Sequence, residues 1–153
     1  MVLMIILLSS TCLKAQSFSD EKVSLTNFIK RMYTSTPFEG VKIIDDYNHQ
    51  YLVSIISLDK SNYTSESTLN RVAQVKAQSQ ANTFLNGAAI SMDMVITTKE
   101  STDSSNKNTT ILETVEQIRQ NSVGFTQGLE LLTNFDSSNK QRTVFVYARE
   151  MRL

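Results

Sequence analysis

The residues that could carry acid–base chemistry lie around the single histidine of the chain. His49 closely follows Asp45 and Asp46, and Tyr47 and Tyr51 flank it. A histidine oriented by a carboxylate can act as a general base, so one hypothesis is a hydrolase that uses His49 and Asp46. The alternative is a hairpin turn, because Asp and Asn are common turn residues and consecutive strand residues point to opposite faces. We prefer the turn and expect no catalytic residue here.

Other catalytic and cofactor motifs do not occur in the sequence. None of the four glycines frames a serine as G-x-S-x-G, and there is no P-loop or dinucleotide-binding fingerprint. One cysteine and one histidine are too few for a zinc site of three or four nitrogen and sulfur ligands. Oxygen ligands in 100–108 lack the order of an EF-hand, so we expect a solvated loop. We therefore expect no enzyme activity, no cofactor and no metal.

The composition is that of a globular protein with balanced charge. The 153 residues include 15 Lys and Arg against 15 Asp and Glu, and 41% are hydrophobic. A neutral chain lacks the excess of basic residues that broad binding to nucleic acid requires. Ser, Thr, Asn and Gln account for 55 of the 153 residues, so the polar surface depends more on hydroxyls and amides than on charge.

The first residues have the pattern of a targeting segment. Val2–Leu8 is a run of seven apolar residues, far shorter than the roughly 18–20 that a membrane-spanning helix needs. We predict a signal peptide over 1–15, cleaved after Ala15, followed by a single globular domain over 16–153 in the periplasm or on the cell surface. Cys12 offers an alternative as a lipid-accepting residue, although Ser9 and Thr11 do not match a lipobox. Membrane attachment is expected only if Cys12 is lipidated.

Hydrophobic periodicity predicts three helices and five strands in the order α, β, β, α, β, α, β, β. The predicted helices cover 19–32, 67–86 and a segment that opens with a capping box at Thr110–Glu113. The predicted strands are 41–47, 50–58, 88–100, 129–136 and 142–150. We expect the second helix to stop at Gly87 in a left-handed conformation, and 101–108 to be a polar loop. The predicted fold is α+β, with helices packed on a mostly antiparallel sheet of about four to five strands in a single domain.

The second predicted helix contains the most distinctive surface of the sequence. The sixteen residues from Ala77 to Met92 include no charged residue. Gln78, Asn82 and Thr83 in this stretch could form a surface for a protein partner or a second copy. The other interpretation is that the row Ala73, Ala77 and Ala81 only allows the helix to lie close to a sheet. Both interpretations remain open from the sequence.

Several segments together resemble a bacterial envelope family. An alanine-rich helix, RVAQVKAQSQANTFLNGA, leads into AISMDMVITTKES, and GLELLTNF and RTVFVYARE follow after a polar loop and short helix. This pattern resembles the LPP-twenty lipoprotein family and the N-terminal domain of the flagellar assembly protein FlgT. The resemblance implies a compact helix-on-sheet domain in the periplasm or on the cell surface, with no catalytic residues to carry over.

These observations lead to a hypothesis of function. We expect an exported, non-catalytic binding or assembly module of the bacterial cell envelope, with a protein partner or a second copy. The contact region would be the exposed face of the long helix or an unpaired sheet edge. The alternative is a small exported hydrolase using His49 and Asp46.

Overall fold

The computed structural model describes residues 12–46, 49–87, 92–98 and 104–152. The chain divides into two compact units, Met1–Pro37 and Phe38–Leu153. The apolar core of the predicted signal peptide lies outside the described residues. None of the helices in the described ranges is long and apolar enough to cross a membrane.

The described part of the first unit is one long helix. Helix α1 spans Cys12–Ser35 and extends beyond the predicted 19–32 at both ends. Leu25 and Ile29 are buried, as expected for residues one turn apart on an apolar stripe.

The second unit is built on a five-stranded mixed sheet, which confirms the predicted α+β class. The strands are β1 (Gly40–Asp46), β2 (His49–Asp59), β3 (Val95–Thr97), β4 (Glu130–Asp136) and β5 (Arg142–Glu150). Their order in the sheet is β3-β1-β2-β5-β4, so β3 and β4 are the edges. Only β1 and β3 are parallel, and the other three pairings are antiparallel.

The described residues of this unit form three α-helices. They are α2 (Glu66–Gly87), α3 (Ser104–Arg119) and α4 (Ser122–Gln127). Their apolar residues and one face of the sheet form a common core that includes Leu52, Phe145, Leu85 and Val115. Ile44, Val53 and Val144 are buried on the opposite face of the sheet, as the alternation of side chains along a strand requires.

The alanine row of α2 allows close packing against the sheet. Ala73, Ala77 and Ala81 are fully buried, and the Ser54 hydroxyl on β2 donates to the Ala77 carbonyl at 3.1 Å. Gln80 reaches the same place, since its side-chain amide donates to the Ser54 hydroxyl at 2.9 Å. The predicted close approach of this helix to a sheet is therefore confirmed.

The predicted start of α3 was wrong. The helix begins at Ser104, inside the expected polar loop, and Thr110 lies in its interior with its carbonyl accepting the Thr114 hydroxyl. Asp45 on β1 is only 3% exposed, and Lys107 forms an ion pair with it at 3.1 Å. This tertiary ion pair holds the first turn of α3, whose polar sequence shows no apolar periodicity.

The third strand and the end of α2 also differ from the predictions. A 3₁₀ turn at Met92–Met94 interrupts the predicted strand 88–100, and within the described part of that segment Val95–Thr97 is the stretch that pairs with β1. Thr98 then donates its backbone N–H to the Asp45 carbonyl, at the point where β1 ends. Gly87 is the last residue of α2, but its φ is not positive, so the expected left-handed stop is absent.

Candidate functional site

The histidine that could act as a base has a carboxylate partner from another strand. His49 is the first residue of β2 and lies directly opposite Asp46 of β1. Its Nδ1 atom is 2.7 Å from Oε1 of Glu150, the last residue of β5. Its ring stacks on Tyr51, with 6.2 Å between the ring centroids. The Asp46 carboxylate accepts the Thr98 hydroxyl at 2.7 Å.

Glu150 is held by two groups at once. Oε2 accepts from Arg152 at 2.5 Å, while Oε1 contacts His49. Burial raises the pKa of Glu150, but the hydrogen bonds from Arg152 and His49 outweigh it and hold this pKa below its usual range. Sequence analysis missed Glu150 and Arg152 because they are about a hundred positions from His49. The pairing of β2 with β5 is what brings them together.

This arrangement resembles an oriented base, and its Arg152 lines one of two clefts found among the described residues. One cleft is lined by residues near the start of α2 and the end of β4, and a second one by residues of α3, α4 and the end of β5. His49 lines neither of them. The contact between His49 and Glu150 ties the start of β2 to the end of β5.

Among the described residues, no group of three or more His, Cys, Asp and Glu side chains could hold a metal ion. Glu100 and Asp103, which could have supplied oxygen ligands, lie outside the described residues. Cys12 is the first residue of α1, and its lipidation remains a prediction.

The predicted partner surface on α2 is polar and partly occupied by hydrogen bonds within the helix. Gln78 and Asn82 are half-buried and Thr83 is exposed. Asn86 donates to both the carbonyl and the side-chain oxygen of Asn82, and Thr83 donates to the Ser79 carbonyl. The large apolar residue most exposed on α2 is Val75, at 65%, which lies before the charge-free stretch. This surface therefore has few of the apolar anchors that centre most interfaces.

The edge strand β4 presents a different kind of surface. It pairs with β5 on one side and ends the sheet on the other. Its side chains are largely exposed, and Leu131 is 46% exposed. The register shifts between Leu131 and Thr133, which marks a bulge in the first half of the strand. The second half, Thr133 to Asp136, keeps a regular register.

In the regular half of β4, the backbone N–H and C=O groups of every second residue face away from β5. Ser137 donates its N–H to the Arg142 carbonyl, which closes the β4–β5 hairpin. Because hydrogen-bonded and non-hydrogen-bonded pairs alternate in antiparallel strands, Thr133 and Phe135 face β5, and the N–H groups of Asn134 and Asp136 face outward. β4 therefore offers the backbone N–H and C=O groups of Asn134 and Asp136 to a further strand.

The larger cleft adjoins this edge. It has a volume of about 420 Å³ and lies between the first turns of α2, the end of β4 and the start of β5. The buried side chains of Leu69 and Phe145 line it, together with polar groups such as Asn70 and Asn134. An ion pair between Lys60 and Asp136, with an N–O distance of 2.7 Å, also lines the cleft.

Comparisons with protein-family models, with curated proteins and with solved structures find no match to this chain.

Proposed function

We propose that this protein is an exported, non-catalytic binding or assembly module of the bacterial cell envelope, and that β4 is its contact region. The observation that carries the proposal is the outer edge of β4: no strand of the described residues pairs with it, and the N–H groups of Asn134 and Asp136 point outward there. An extended segment of a partner adds to such an edge as a further strand, and main-chain hydrogen bonds provide the affinity.

The edge fits the role better than the exposed face of α2. Exposed edge strands are a liability that proteins usually cover, shorten or protect with charge. β4 has seven residues and an exposed Leu131, whereas the other edge, β3, has only three residues. The greater length of β4 favours this edge as the place where a partner strand is added.

Charge favours a different chain over a second copy. In a full-length antiparallel pairing of two β4 strands, Glu130 of one copy would face Asp136 of the other. Like charges directly opposite each other destabilise such a pair. β4 carries these two acidic residues and no basic residue, so the fitting partner is an extended segment with Lys or Arg beside an apolar centre.

Two substitutions at one position test the edge. Asn134→Pro removes an outward N–H, and proline is tolerated on edge strands when its missing N–H faces away from the neighbouring strand. Asn134→Ala removes the same side chain and keeps the N–H. We expect cross-linked affinity capture from the envelope fraction to recover the same partner with the wild type and Asn134→Ala, and at least tenfold less of it with Asn134→Pro.

Equal capture by Asn134→Pro and Asn134→Ala would contradict the proposal. Both variants must first have free energies of unfolding, measured in urea, within about 1 kcal/mol of the wild type. A dimer of the wild type in light scattering that Asn134→Pro abolishes would show that the edge binds a second copy instead.

The export part of the proposal is supported by the apolar run Val2–Leu8 and by the family resemblance. It predicts that the mature chain begins at Gln16, which intact mass spectrometry of protein from the envelope fraction would show. A mature chain that begins at a lipid-modified Cys12 would instead establish membrane attachment. A full-length chain that remains in the cytoplasm would contradict export.

A further inference from the structure

The cleft beside α2 contains polar side chains that the fold itself does not use. Within the described ranges, the Asn70 amide, the Asn134 amide and the Glu66 carboxylate make no hydrogen bond or ion pair with another residue, and all three line the cleft. The nearby Tyr147 hydroxyl bonds only the backbone carbonyl of Asn70, at 3.5 Å, and leaves the Asn70 side chain available.

Two polar side chains close to the cleft already have partners. Ser65 caps the start of α2, with its hydroxyl 2.9 Å from the Thr68 hydroxyl and accepting the Thr68 N–H at 3.2 Å. Asp59 accepts both the N–H and the hydroxyl of Ser61. The hydroxyls of Tyr63, Thr64 and Thr143 also line the cleft without a hydrogen bond to another described residue, so the lining offers hydroxyl groups as well as amides.

The charges of the lining disfavour an anionic ligand. Of the described residues that line the cleft, Lys60 is the only basic one, and Asp136 already pairs with it. Glu66 adds a negative charge with no counterpart. A phosphate or carboxylate ligand would thus meet a net acidic lining without a free cation to bind it.

The mixture of apolar and polar lining disfavours a purely apolar ligand as well. Leu69 and Phe145 give the cleft a buried apolar surface, but an apolar ligand would cover the amides of Asn70 and Asn134 without hydrogen bonds. Leaving such groups unsatisfied costs about 1–3 kcal/mol each. The ligand must supply both donors and acceptors.

We infer that the cleft binds a small neutral sugar. Each asparagine amide offers two donors and an acceptor, and the Glu66 carboxylate adds acceptors, which together match the vicinal hydroxyls of a sugar ring. The C–H face of the ring would lie over the side chains of Tyr63 and Leu69, because Phe145 is only 1% exposed. The volume of about 420 Å³ falls in the range of small-molecule sites. This inference does not depend on a partner strand at β4.

The test is an NMR titration of the ¹⁵N-labelled chain with four probes. N-acetylglucosamine and its disaccharide are neutral and rich in hydroxyls, sodium phosphate is an anion, and putrescine is a cation. We expect both sugars to shift the amide signals of the cleft residues in a saturable way, and phosphate and putrescine to leave them in place at the same ionic strength.

A matched pair of variants tests the lining. Asn70→Ala should weaken sugar binding roughly three- to tenfold, the usual effect of one lost hydrogen bond to a neutral group. Gln74→Ala removes an exposed amide one turn further along α2, outside the cleft, and should bind as the wild type does. Equal binding by the two variants would overturn the inference. So would an absence of shifts with either sugar up to tens of millimolar, or stronger shifts with putrescine or phosphate.

Discussion

Glu150 joins two side chains that carry or can carry positive charge at the end of β5. Its position between His49 and Arg152 explains why this carboxyl has a pKa below its usual range despite its burial. The contact between His49 and Glu150 depends on the antiparallel pairing of β2 with β5, which places the start of β2 beside the end of β5. The cluster of His49, Glu150 and Arg152 thus helps to hold the two central strands, β2 and β5, together.

The lowered pKa of Glu150 predicts a specific dependence of stability on pH. Because the pKa is lower in the folded than in the unfolded chain, the stabilisation is present above the unfolded pKa and is lost as the pH falls through the folded one. Glu150→Gln should reduce the free energy of unfolding by about 1 kcal/mol at pH 6, since Arg152 is largely solvent-exposed and its ion pair is screened. The difference from the wild type should shrink between about pH 5 and pH 3.

Urea unfolding at a series of pH values measures this effect. Glu116→Gln is the control, because Glu116 pairs with Arg119 on an exposed turn of α3. Parallel stability curves for the wild type and Glu150→Gln from pH 6 to pH 3 would show that the His49–Glu150–Arg152 cluster has no such role.

At the residue scale, the sequence was sufficient to single out His49 but not its partner. Asp45 and Asp46 are its neighbours in sequence, yet the close carboxylate belongs to Glu150. Asp45 points to the other face of the sheet, where it pairs with Lys107. Strand order decides these pairings, and the order of β1, β2 and β5 cannot be derived from hydrophobic periodicity alone.

At the scale of elements, α4 and the end of β5 depend on one arginine. Arg149 donates to the carbonyls of Gly124 and Phe125, and its guanidinium lies 4.5 Å from the centre of the Phe125 ring. These contacts satisfy carbonyls at the end of a short helix. They also bring the guanidinium against the α-carbon of Gly128, where a β-carbon would not fit.

Two glycine substitutions test this arrangement. Gly128→Ala should destabilise the protein by about 1–3 kcal/mol, because the added methyl displaces the Arg149 guanidinium from its carbonyl partners. Gly87→Ala should stabilise it by about 0.4–1 kcal/mol, because Gly87 is helical and its β-carbon would meet only the Thr83 methyl at 3.9 Å.

Urea midpoints of the two variants decide both points. A neutral Gly128→Ala would show that Arg149 moves aside without cost. A lower stability of Gly87→Ala would instead support the left-handed conformation at Gly87 that the sequence predicted.

Elements with strong periodicity were predictable, and those fixed by tertiary contacts were not. The predicted 142–150 coincides with β5, whose alternating valines and aromatic residues separate cleanly between the two faces. The short α4 has too few residues for a periodic signal, and α3 begins in a polar segment that Lys107 holds to Asp45. The bulge in β4 likewise leaves Leu131 exposed, although alternation predicted it alongside Leu129 and Phe135.

For the whole molecule, the sheet order has a direct functional consequence. The two edge strands of the sheet are β3, with three residues, and β4, with seven. β4 therefore presents the longer exposed edge. The sequence left two contact regions open, the face of α2 and a sheet edge. The structure gives the edge an oriented row of backbone groups and gives α2 a polar face with internal hydrogen bonds.

The central claim is that a partner strand adds to β4, and hydrogen–deuterium exchange tests it at the backbone. The captured partner, or a peptide of its contact segment, is added to the full chain and the exchange of individual amides is followed. We predict strong protection of the outward amides of Asn134 and Asp136, with little change at Thr133 and Phe135, which already face β5. Unchanged exchange along β4, with new protection on α2 around Gln78, Asn82 and Thr83, would contradict the account.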